Sequence, residues 1–460
     1  MKKPPVLKPS TGEGPSGDPI APANVPESDQ VPARVWRATA WQVLGRLFGS
    51  ATTFVALALL ARELPGSEFG RLTFYLAVFA WLDALSDFGT GAVAVQRTAD
   101  DAWAVAPVLR SARRQRLGLA TLGFFATAVL CFVFDEPDAS WILIAALYPL
   151  THALELSATV FKNRIDWRIP TLVRGLASLL RLLAVLGTYW LGVVRAAPYL
   201  FAMALGSAAA NFTLHRAALP HLPKPSIPVR APSGLFAQAL PLGLAMVCQQ
   251  AYFSIDNLFV RSWLGEEPLG HYNAAMRVLS LLIMGAIYAG AAALPWMTRR
   301  VAGGGVGAAA ARLAQPMMLA AALLCGAIAE FAAPLLELLF GAPFRAAAPG
   351  LVWLLGAVVA VHGGAVLLTA LVALDRGRAV MGIAGGALAV NVVLNALWVR
   401  GYGLEGAAAA TFWTEVFVAS AAATTLARAR CGFLSVRPWA WLLAPPLFLF
   451  GRQLGGVLAP

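Results

Sequence analysis

The sequence predicts an all-α polytopic membrane protein, with about twelve transmembrane helices in two pseudo-symmetric six-helix lobes around a central cavity. Composition is the first observation: 59% of the residues are hydrophobic and only 13% are charged, against about 25% charged in soluble proteins. The second observation is a series of apolar runs, each close to the length of about 20 helical residues that crosses a bilayer. The third is a helical hairpin pattern that recurs in the second half of the chain.

The first 33 residues are rich in Pro, Gly and Ser and contain no apolar run. We therefore expect residues 1–33 to form a disordered tail, since a signal peptide needs an apolar core of about 7–15 residues. Lys2, Lys3 and Lys8 favour a cytoplasmic N-terminus, because basic residues are retained on that side of the membrane.

Twelve apolar segments follow the tail, six in each predicted lobe. The N-lobe takes residues 34–218, and a Pro-rich cytoplasmic linker at 219–234 joins it to the C-lobe at 235–430. A last apolar run lies within residues 431–460 and is interrupted by prolines, which predicts an interfacial helix or a thirteenth span. The twelve segments are 35–62, 67–96, 115–134, 139–161, 168–192, 196–217, 235–262, 268–298, 312–340, 346–373, 379–400 and 405–427.

Basic residues alternate between the two predicted sides of the membrane. The net charge of +12 does not indicate nucleic-acid binding, because these residues lie in short segments between apolar runs, as the positive-inside rule requires. Outer segments are poor in basic residues and hold Arg62, Arg71, Arg195, Arg261, Arg345 and Arg400. Inner segments hold Arg97, Arg110, Arg113, Arg114, Arg116, Lys162, Arg164, Arg168, Arg216, Lys224, Arg230, Arg299, Arg300, Arg312, Arg376, Arg378, Arg428, Arg430 and Arg437.

Two hairpins in the chain resemble each other. ARELPGSEFG contains Arg62 and Gly70, and VRSWLGEEPLG contains Arg261 and Gly270 at the aligned positions after one insertion. The first hairpin joins helices 1 and 2, and the second joins helices 7 and 8. We infer two lobes of like orientation, as in transporters built from parallel repeats.

Polar groups interrupt the apolar runs of the second hairpin. Gln249 and Asp256 lie seven residues apart, which predicts one shared helix face. Asn273, Arg277 and Ser280 have the i, i+4, i+7 spacing of a second face. Because an intramembrane charge costs at least about 2.5–3.5 kcal/mol, we expect these groups to face a bundle interior or a wet cavity.

Four arginines are predicted to line the central cavity. Arg46 lies near mid-depth in helix 1, and Arg277 lies at a similar depth in helix 8. Arg174 and Arg181 share one stripe of helix 5. A guanidinium group binds phosphate oxygens bidentately and keeps its charge, so such a cavity suits a pyrophosphate headgroup.

Intramembrane acids provide an alternative, structural role for the same arginines. Arg46 would then pair with Asp83, Arg181 with Glu155, and Arg277 with Asp256. Ion coupling is the other role that an intramembrane acid can have. The candidate positions for ion coupling or pairing are Asp83, Asp87, Asp256 and Glu415.

The sequence contains no motif for catalysis, for a metal or for a cofactor. HExxH, GxSxG and P-loop patterns are absent, and these are the motifs that hydrolases, metalloproteases and nucleotide-binding proteins use. The four cysteines show no CxxC spacing, so we expect them to be inert small hydrophobes. We predict neither an enzyme nor a cofactor-binding protein.

Several motifs resemble one known family of transporters. In helices 7 and 8 the matching residues are Pro241, Asp256, Gly270, Tyr272, Ala275, Arg277 and Pro295, and further matches run from Leu59 to Tyr75 and from Leu339 to Glu415. These motifs resemble the Wzx-type polysaccharide flippases of the multidrug/oligosaccharidyl-lipid/polysaccharide (MOP) exporter superfamily. The resemblance extends over most of residues 35–430.

The resemblance implies a transporter that flips a polyprenyl-pyrophosphate-linked oligosaccharide across the bacterial cytoplasmic membrane. It also implies that Arg46 and Arg277 are the helix 1 and helix 8 arginines of the cavity. Expected partners are the lipid-linked oligosaccharide, membrane lipids and other polysaccharide-assembly proteins, with no nucleic acid, and the protein is expected to be a monomer. The alternatives are a MATE-like drug/cation antiporter, which would favour an acidic cavity, and a membrane-embedded polysaccharide polymerase or ligase, which usually needs a larger outer loop.

Overall fold

The computed structural model describes residues 31–98, 105–164, 166–222 and 234–429, with short pieces at 431, 433, 443–445 and 447–449. The predictions for most of the tail, for residues 223–233 of the linker and for most of residues 431–460 lie outside the described residues. The first helix begins at Val31, so the predicted tail boundary at residue 33 falls inside that helix.

The described chain is helical, and short turns connect its helices. Within the region of helix 4, 3₁₀ turns separate the short helices α5, α6 and α7. The helices are α1 Val31–Glu63, α2 Gly66–Asp87, α3 Thr90–Thr98, α4 Val105–Val133, α5 Ala139–Ala145, α6 His152–Glu155, α7 Thr159–Asn163, α8 Arg168–Trp190, α9 Ala196–Ala218, α10 Leu235–Tyr252, α11 Asp256–Leu264, α12 Glu266–Leu282, α13 Met284–Thr298, α14 Val306–Glu330, α15 Ala332–Phe340, α16 Ala348–Ala373 and α17 Gly377–Arg428.

The helix order confirms the predicted fold of about twelve membrane-crossing segments. Among the described residues, nine helical segments are long and apolar enough to cross a membrane. Gly403 has a positive φ and divides α17 into two helices, and Asn391 bonds Thr414 across this hairpin. When the two halves of α17 are counted separately, and α9 and the pair α10–α11 are added, the described residues contain twelve membrane-crossing segments. The protein is therefore a multi-pass, all-α membrane protein.

Several predicted spans are interrupted near their middle. Helix 7 is divided between Tyr252 and Asp256 into α10 and α11. The indole N–H of Trp81 donates a hydrogen bond of 2.6 Å to Ser254 at this break. Gln249 is exposed before this break and Asp256 is completely buried after it, so the prediction that they share one helix face is wrong.

The two lobes meet along α2 and α12 at the end of the bundle predicted to face outside, here called the outer end. A Cβ atom added to Gly70 would lie 1.8 Å from the carbonyl oxygen of Glu266. Deeper in the same contact, Asn273 donates a 3.1 Å hydrogen bond to the hydroxyl of Thr73. Only glycine allows the two backbones to approach this closely.

A buried ionic cluster reinforces this closure. Arg71 pairs with Glu266 at 3.0 Å and with Glu136 at 3.2 Å. Arg261 pairs with Glu136 and, at 2.7 Å, with Glu266. Each arginine thus contacts acids of both lobes. Arg261 also lies over the ring of Phe134, with 4.3 Å between the guanidinium carbon and the ring centroid.

The opposite end of the lobe interface is closed by apolar packing. A Cβ atom on Gly243 of α10 would lie 2.4 Å from the ring of Phe88, at the end of α2. Leu242 packs beside it against Gly89. The described lobes are therefore in contact at both ends of this seam.

Candidate functional site

A water-accessible cavity lies mainly between α1, α2, α8 and α9, with one side chain contributed by α12. It has two adjoining parts. The Arg277 chamber has a volume of 220 Å³ and the Arg46 chamber a volume of 300 Å³. The residues that line both chambers are Asp83, Tyr148, Ser178, Arg181 and Ser207. The four predicted cavity arginines all line one chamber or both.

Arg181 lies at the junction of the two chambers. Its guanidinium donates hydrogen bonds to Ser178 at 2.8 Å and to Ser207 at 3.2 Å. Gly206 of α9 leaves room for its stem, since a Cβ atom there would lie 2.1 Å from the Arg181 Cγ. The predicted alternative pair with Glu155 is wrong, because within the described chain Glu155 pairs with other cations.

Arg277 is the C-lobe contribution to the cavity. Its half-buried side chain lines the Arg277 chamber. Among the described residues it has neither a hydrogen-bond acceptor nor an ion-pair partner. The alternative that pairs it with Asp256 is therefore wrong, because the Asp256 carboxylate is bound elsewhere.

Arg46 is exposed and lines the Arg46 chamber beside Gln42. The predicted alternative pair between Arg46 and Asp83 is also wrong. The Asp83 carboxylate instead accepts a hydrogen bond from the Tyr148 hydroxyl and lies 3.2 Å from the His152 Nε2 atom. Arg46 thus keeps a free guanidinium group within the part of the chain that the structure describes.

Arg174 differs from the other three arginines because it is ion-paired. Its guanidinium contacts Glu155, which also lies 3.7 Å from Arg116. Arg116 in turn pairs with Asp87 and donates a 2.9 Å hydrogen bond to Thr90. One wall of the Arg46 chamber is thus neutralised by the Arg174–Glu155 pair. Arg46 and Arg181 then outnumber the one remaining carboxylate of the lining, Asp83, so the chamber keeps a net positive charge.

Tyr148 and His152 are cavity residues that were not among those predicted from the sequence. Both line the Arg46 chamber, and both hold the Asp83 carboxylate. With Glu155 they have the i, i+4, i+7 spacing that placed Arg174 and Arg181 on one face. The same criterion would have found them if it had been applied to the short helices between Tyr148 and Asn163.

Three of the four predicted coupling acids lie away from the cavity lining. Asp87 faces Arg116. Asp256 is completely buried and accepts hydrogen bonds from Tyr272, Asn257 and Thr411. Glu415 is 5% exposed. Of these four acids, only Asp83 lines the cavity and is placed to contact a molecule inside it.

The described residues contain no group of three or more His, Cys, Asp or Glu side chains that could hold a metal ion. Within the same residues, all four cysteines are free. The cavity lining offers guanidinium groups for anions, and hydroxyl and amide groups for polar ligands.

Comparison with protein families gives two overlapping matches. The sequence model of the family described as "Polysaccharide biosynthesis protein" matches residues 35–301, more than half of the chain. The MatE family model matches residues 241–397. Among curated proteins no relative matches.

Comparison with solved structures finds transporters of one superfamily. The lipid II flippase MurJ in its inward closed conformation superposes with a TM-score of 0.63 at 11% identity, covering 90% of this chain and 98% of MurJ. A variant of the MATE transporter VcmN from Vibrio cholerae gives 0.57 at 13% identity, covering 89% and 99%. A MOP superfamily transporter from Pyrococcus furiosus gives 0.63 at 14% identity, covering 90% and 96%. At these identities the similarity shows the fold alone, which is that of MOP transporters.

Proposed function

This chain belongs to the polysaccharide biosynthesis protein family, and from that premise we propose that it is a flippase for a lipid-linked oligosaccharide. The substrate is a polyprenyl-pyrophosphate-linked repeat unit of an O-antigen, exopolysaccharide or capsule. The protein moves it from the inner to the outer leaflet of the bacterial cytoplasmic membrane, with its own N-terminus in the cytoplasm. It acts as a monomer and carries out no covalent chemistry.

One observation carries this proposal: Arg181 from the N-lobe and Arg277 from the C-lobe line the same chamber, and neither forms an ion pair with a described acid. The Asp83 carboxylate also lines this chamber but balances only one of the two guanidinium groups, so the lining keeps a net positive charge. Such a charge is costly at bilayer depth and favours a bound anion. A pyrophosphate suits them, because each guanidinium can bind two phosphate oxygens at once.

The Arg46 chamber supplies a different kind of surface. Gln42, Asn211 and Thr171 contribute amide and hydroxyl groups to its lining. Trp167 adds an aromatic face there. Sugars offer hydroxyl groups to such polar side chains and apolar ring faces to aromatic ones. We therefore assign the pyrophosphate to the Arg277 chamber and the first sugars to the Arg46 chamber.

The contacts between the lobes support alternating access as the mechanism. At the outer end, glycine packing and the ionic cluster close the seam between α2 and α12. At the other end, Phe88 packs against Gly243. Rocking of the lobes would open one end while the other stays shut, which exposes a midplane site to each side in turn.

A MATE-like antiporter for cationic drugs is the second candidate, and one observation favours it. The Asp83 carboxylate is 45% exposed and lines both chambers, so it could bind a cation. The MatE match over residues 241–397 agrees with this alternative. The free arginines oppose it, because they repel cationic substrates.

Deletion of the gene in its host separates the two candidates. A flippase defect leaves the lipid-linked glycan in the inner leaflet, where a membrane-impermeant glycosidase or lectin does not reach it in intact spheroplasts. Expression of the wild-type protein in the deletion strain should restore access of the glycosidase or lectin to the glycan, and expression of Arg181→Gln should not. An antiporter would instead leave glycan access unchanged and alter the efflux of cationic dyes, which would overturn the flippase proposal.

A further inference from the structure

A second cavity lies where α13 turns into α14, and none of its lining residues lines the central cavity. It has a volume of 430 Å³ and is here called the 296–312 pocket. Its polar lining consists of Trp296, Arg299, Arg300 and Arg312, and small residues of the turn and of α14 complete it. The flippase proposal assigns it no role.

The charge of the 296–312 pocket is uncompensated. Its lining includes three arginines and no acidic residue. Within the described residues, none of the three forms an ion pair. Three like charges around one small volume repel one another and raise the local concentration of anions. The pocket is therefore suited to hold a counter-anion.

One of these arginines is held in place by its neighbours. The guanidinium of Arg300 lies over the ring of Trp296, with 4.0 Å between its central carbon and the ring centroid. Arg300 also donates a 3.4 Å hydrogen bond to the Trp296 carbonyl oxygen. The turn itself is tied to the chain beyond α17, because the Gly307 N–H donates a 2.9 Å bond to the Cys431 carbonyl.

Above the pocket, one face of α14 is exposed and apolar. Arg312, Pro316, Ala320 and Leu324 follow one another at intervals of four residues, and all are exposed. Leu324 is 55% exposed. A cation at the foot of an apolar helix stripe matches a phospholipid, which has a phosphate at the membrane surface and acyl chains above it. Tryptophan is also typical of the headgroup level.

We propose that the 296–312 pocket binds the phosphate of an anionic phospholipid, with an acyl chain along the 312–324 face of α14. The three arginines would bind the phosphate oxygens of a phosphodiester, and a free phosphate ion offers the same kind of oxygen. The exposed apolar face of α14 favours a phospholipid over a free phosphate ion, because only the phospholipid has acyl chains to cover that face. Because α14 belongs to the C-lobe, the bound lipid would anchor that lobe to one leaflet while the lobes rock.

Native mass spectrometry of the full-length protein in detergent tests the proposal, with palmitoyl-oleoyl phosphatidylglycerol and the matching phosphatidylcholine as probes. We expect retained phosphatidylglycerol adducts on the wild-type protein and few phosphatidylcholine adducts. In R299Q/R300Q/R312Q, phosphatidylglycerol retention should fall about tenfold or more, since each arginine near an anionic lipid contributes about fivefold. Arg312→Gln alone should lower retention several-fold, and it gives the test a second variant if the triple variant does not fold.

The matched control is R376Q/R378Q, which removes two exposed arginines from another predicted inner turn. It should retain phosphatidylglycerol like the wild type. An equal loss in this control would mean that the lipid follows general surface charge, and the proposal would be overturned. Displacement of the lipid by millimolar inorganic phosphate would overturn the lipid assignment in favour of a free anion.

Discussion

Gly70 and Gly270 occupy equivalent positions in the two repeated hairpins, and they contact each other in the folded protein. A Cβ atom on Gly70 would lie 3.1 Å from the backbone nitrogen of Gly270, and a Cβ atom on Gly270 would lie 3.2 Å from that of Gly70. Thr73 and Asn273, three residues further along each helix, bond to each other as well. The two repeated hairpins therefore meet through equivalent residues.

Gly70→Ala should destabilise the protein by disrupting the close contact between α2 and α12. The new methyl group would lie 1.8 Å from the Glu266 carbonyl oxygen, and a backbone atom cannot rotate away as a side chain can. Overpacking of this kind costs about 1–3 kcal/mol. We expect a lower midpoint of thermal unfolding for the purified protein in detergent.

Gly118→Ala is the control for that substitution. Gly118 lies in α4, and a Cβ atom added there would meet nothing within 4 Å. The control should have an unchanged or slightly higher unfolding midpoint, since alanine is the better helix former by about 0.5–1 kcal/mol. Similar midpoints for both variants would mean that α2 and α12 are not in close contact.

The sequence predicted this interface only in part. Hydrophobic run length and charge alternation were sufficient for the helix count, because both follow from the bilayer and need no tertiary contact. Alignment of the hairpins identified Gly70 and Gly270 as equivalent. The contact between these two glycines could not be predicted, because it depends on how the lobes pack and no local sequence pattern contains that information.

The candidate site was predicted less completely than the fold. All four arginines do line the cavity, because a charge at mid-depth has few other places to go. Their partners could not be predicted: Asp83 is held by Tyr148 and His152, and Glu155 by Arg174. Pairing depends on which helices are neighbours and on breaks such as those around Tyr148, and sequence periodicity does not encode either.

Glu136→Gln should strongly destabilise the outer end. Glu136 joins Arg71 to Arg261, and both side chains of the Glu136–Arg261 pair are at most 3% exposed. Removing one partner of such a pair leaves a buried charge and costs about 3–5 kcal/mol. Because Arg261 keeps Glu266 at 2.7 Å, we expect the lower end of that range, measured as lost membrane abundance and a lower unfolding midpoint.

The matched control for Glu136→Gln is Glu337→Gln. Glu337 pairs with Arg345 at 2.7 Å, but the two side chains are 41% and 59% exposed. An exposed pair of this kind contributes at most about 1 kcal/mol, so this variant should behave like the wild type. The double variant Glu136→Gln with Arg261→Gln should recover part of the lost stability. Equal loss in the two single variants would contradict a buried outer cluster.

Reporter fusions test the orientation of the bundle. A reporter placed after residue 225 should be active in the cytoplasm, and one placed near Glu266 should be active outside it. The physical reason is the distribution of arginine and lysine between alternate segments, which sets the orientation of membrane helices. The reverse pattern would contradict the predicted orientation and would place the Gly70–Gly270 contact at the cytoplasmic end.

The decisive prediction concerns Arg277. Arg277→Ala should abolish delivery of the lipid-linked glycan to the outer leaflet while protein abundance stays normal, because no described acid depends on this arginine. Arg277→Lys should retain part of the activity, since an ammonium group keeps the charge but loses the bidentate geometry. Glycan exposure in spheroplasts and immunoblotting of membranes measure the two quantities.

A double variant separates the headgroup role of Arg277 from a structural one. Adding Asp256→Asn to Arg277→Ala should not restore transport, because Asp256 is already bound by Tyr272, Asn257 and Thr411. Recovery of both abundance and transport in the double variant would show that Arg277 serves to neutralise Asp256. Arg174→Ala provides the contrast, because it removes the closest ion-pair partner of Glu155 and leaves only the longer contacts to Arg116 at 3.7 Å and His152 at 3.8 Å. Part of its defect should therefore appear as lower abundance, and Glu155→Gln should relieve that part.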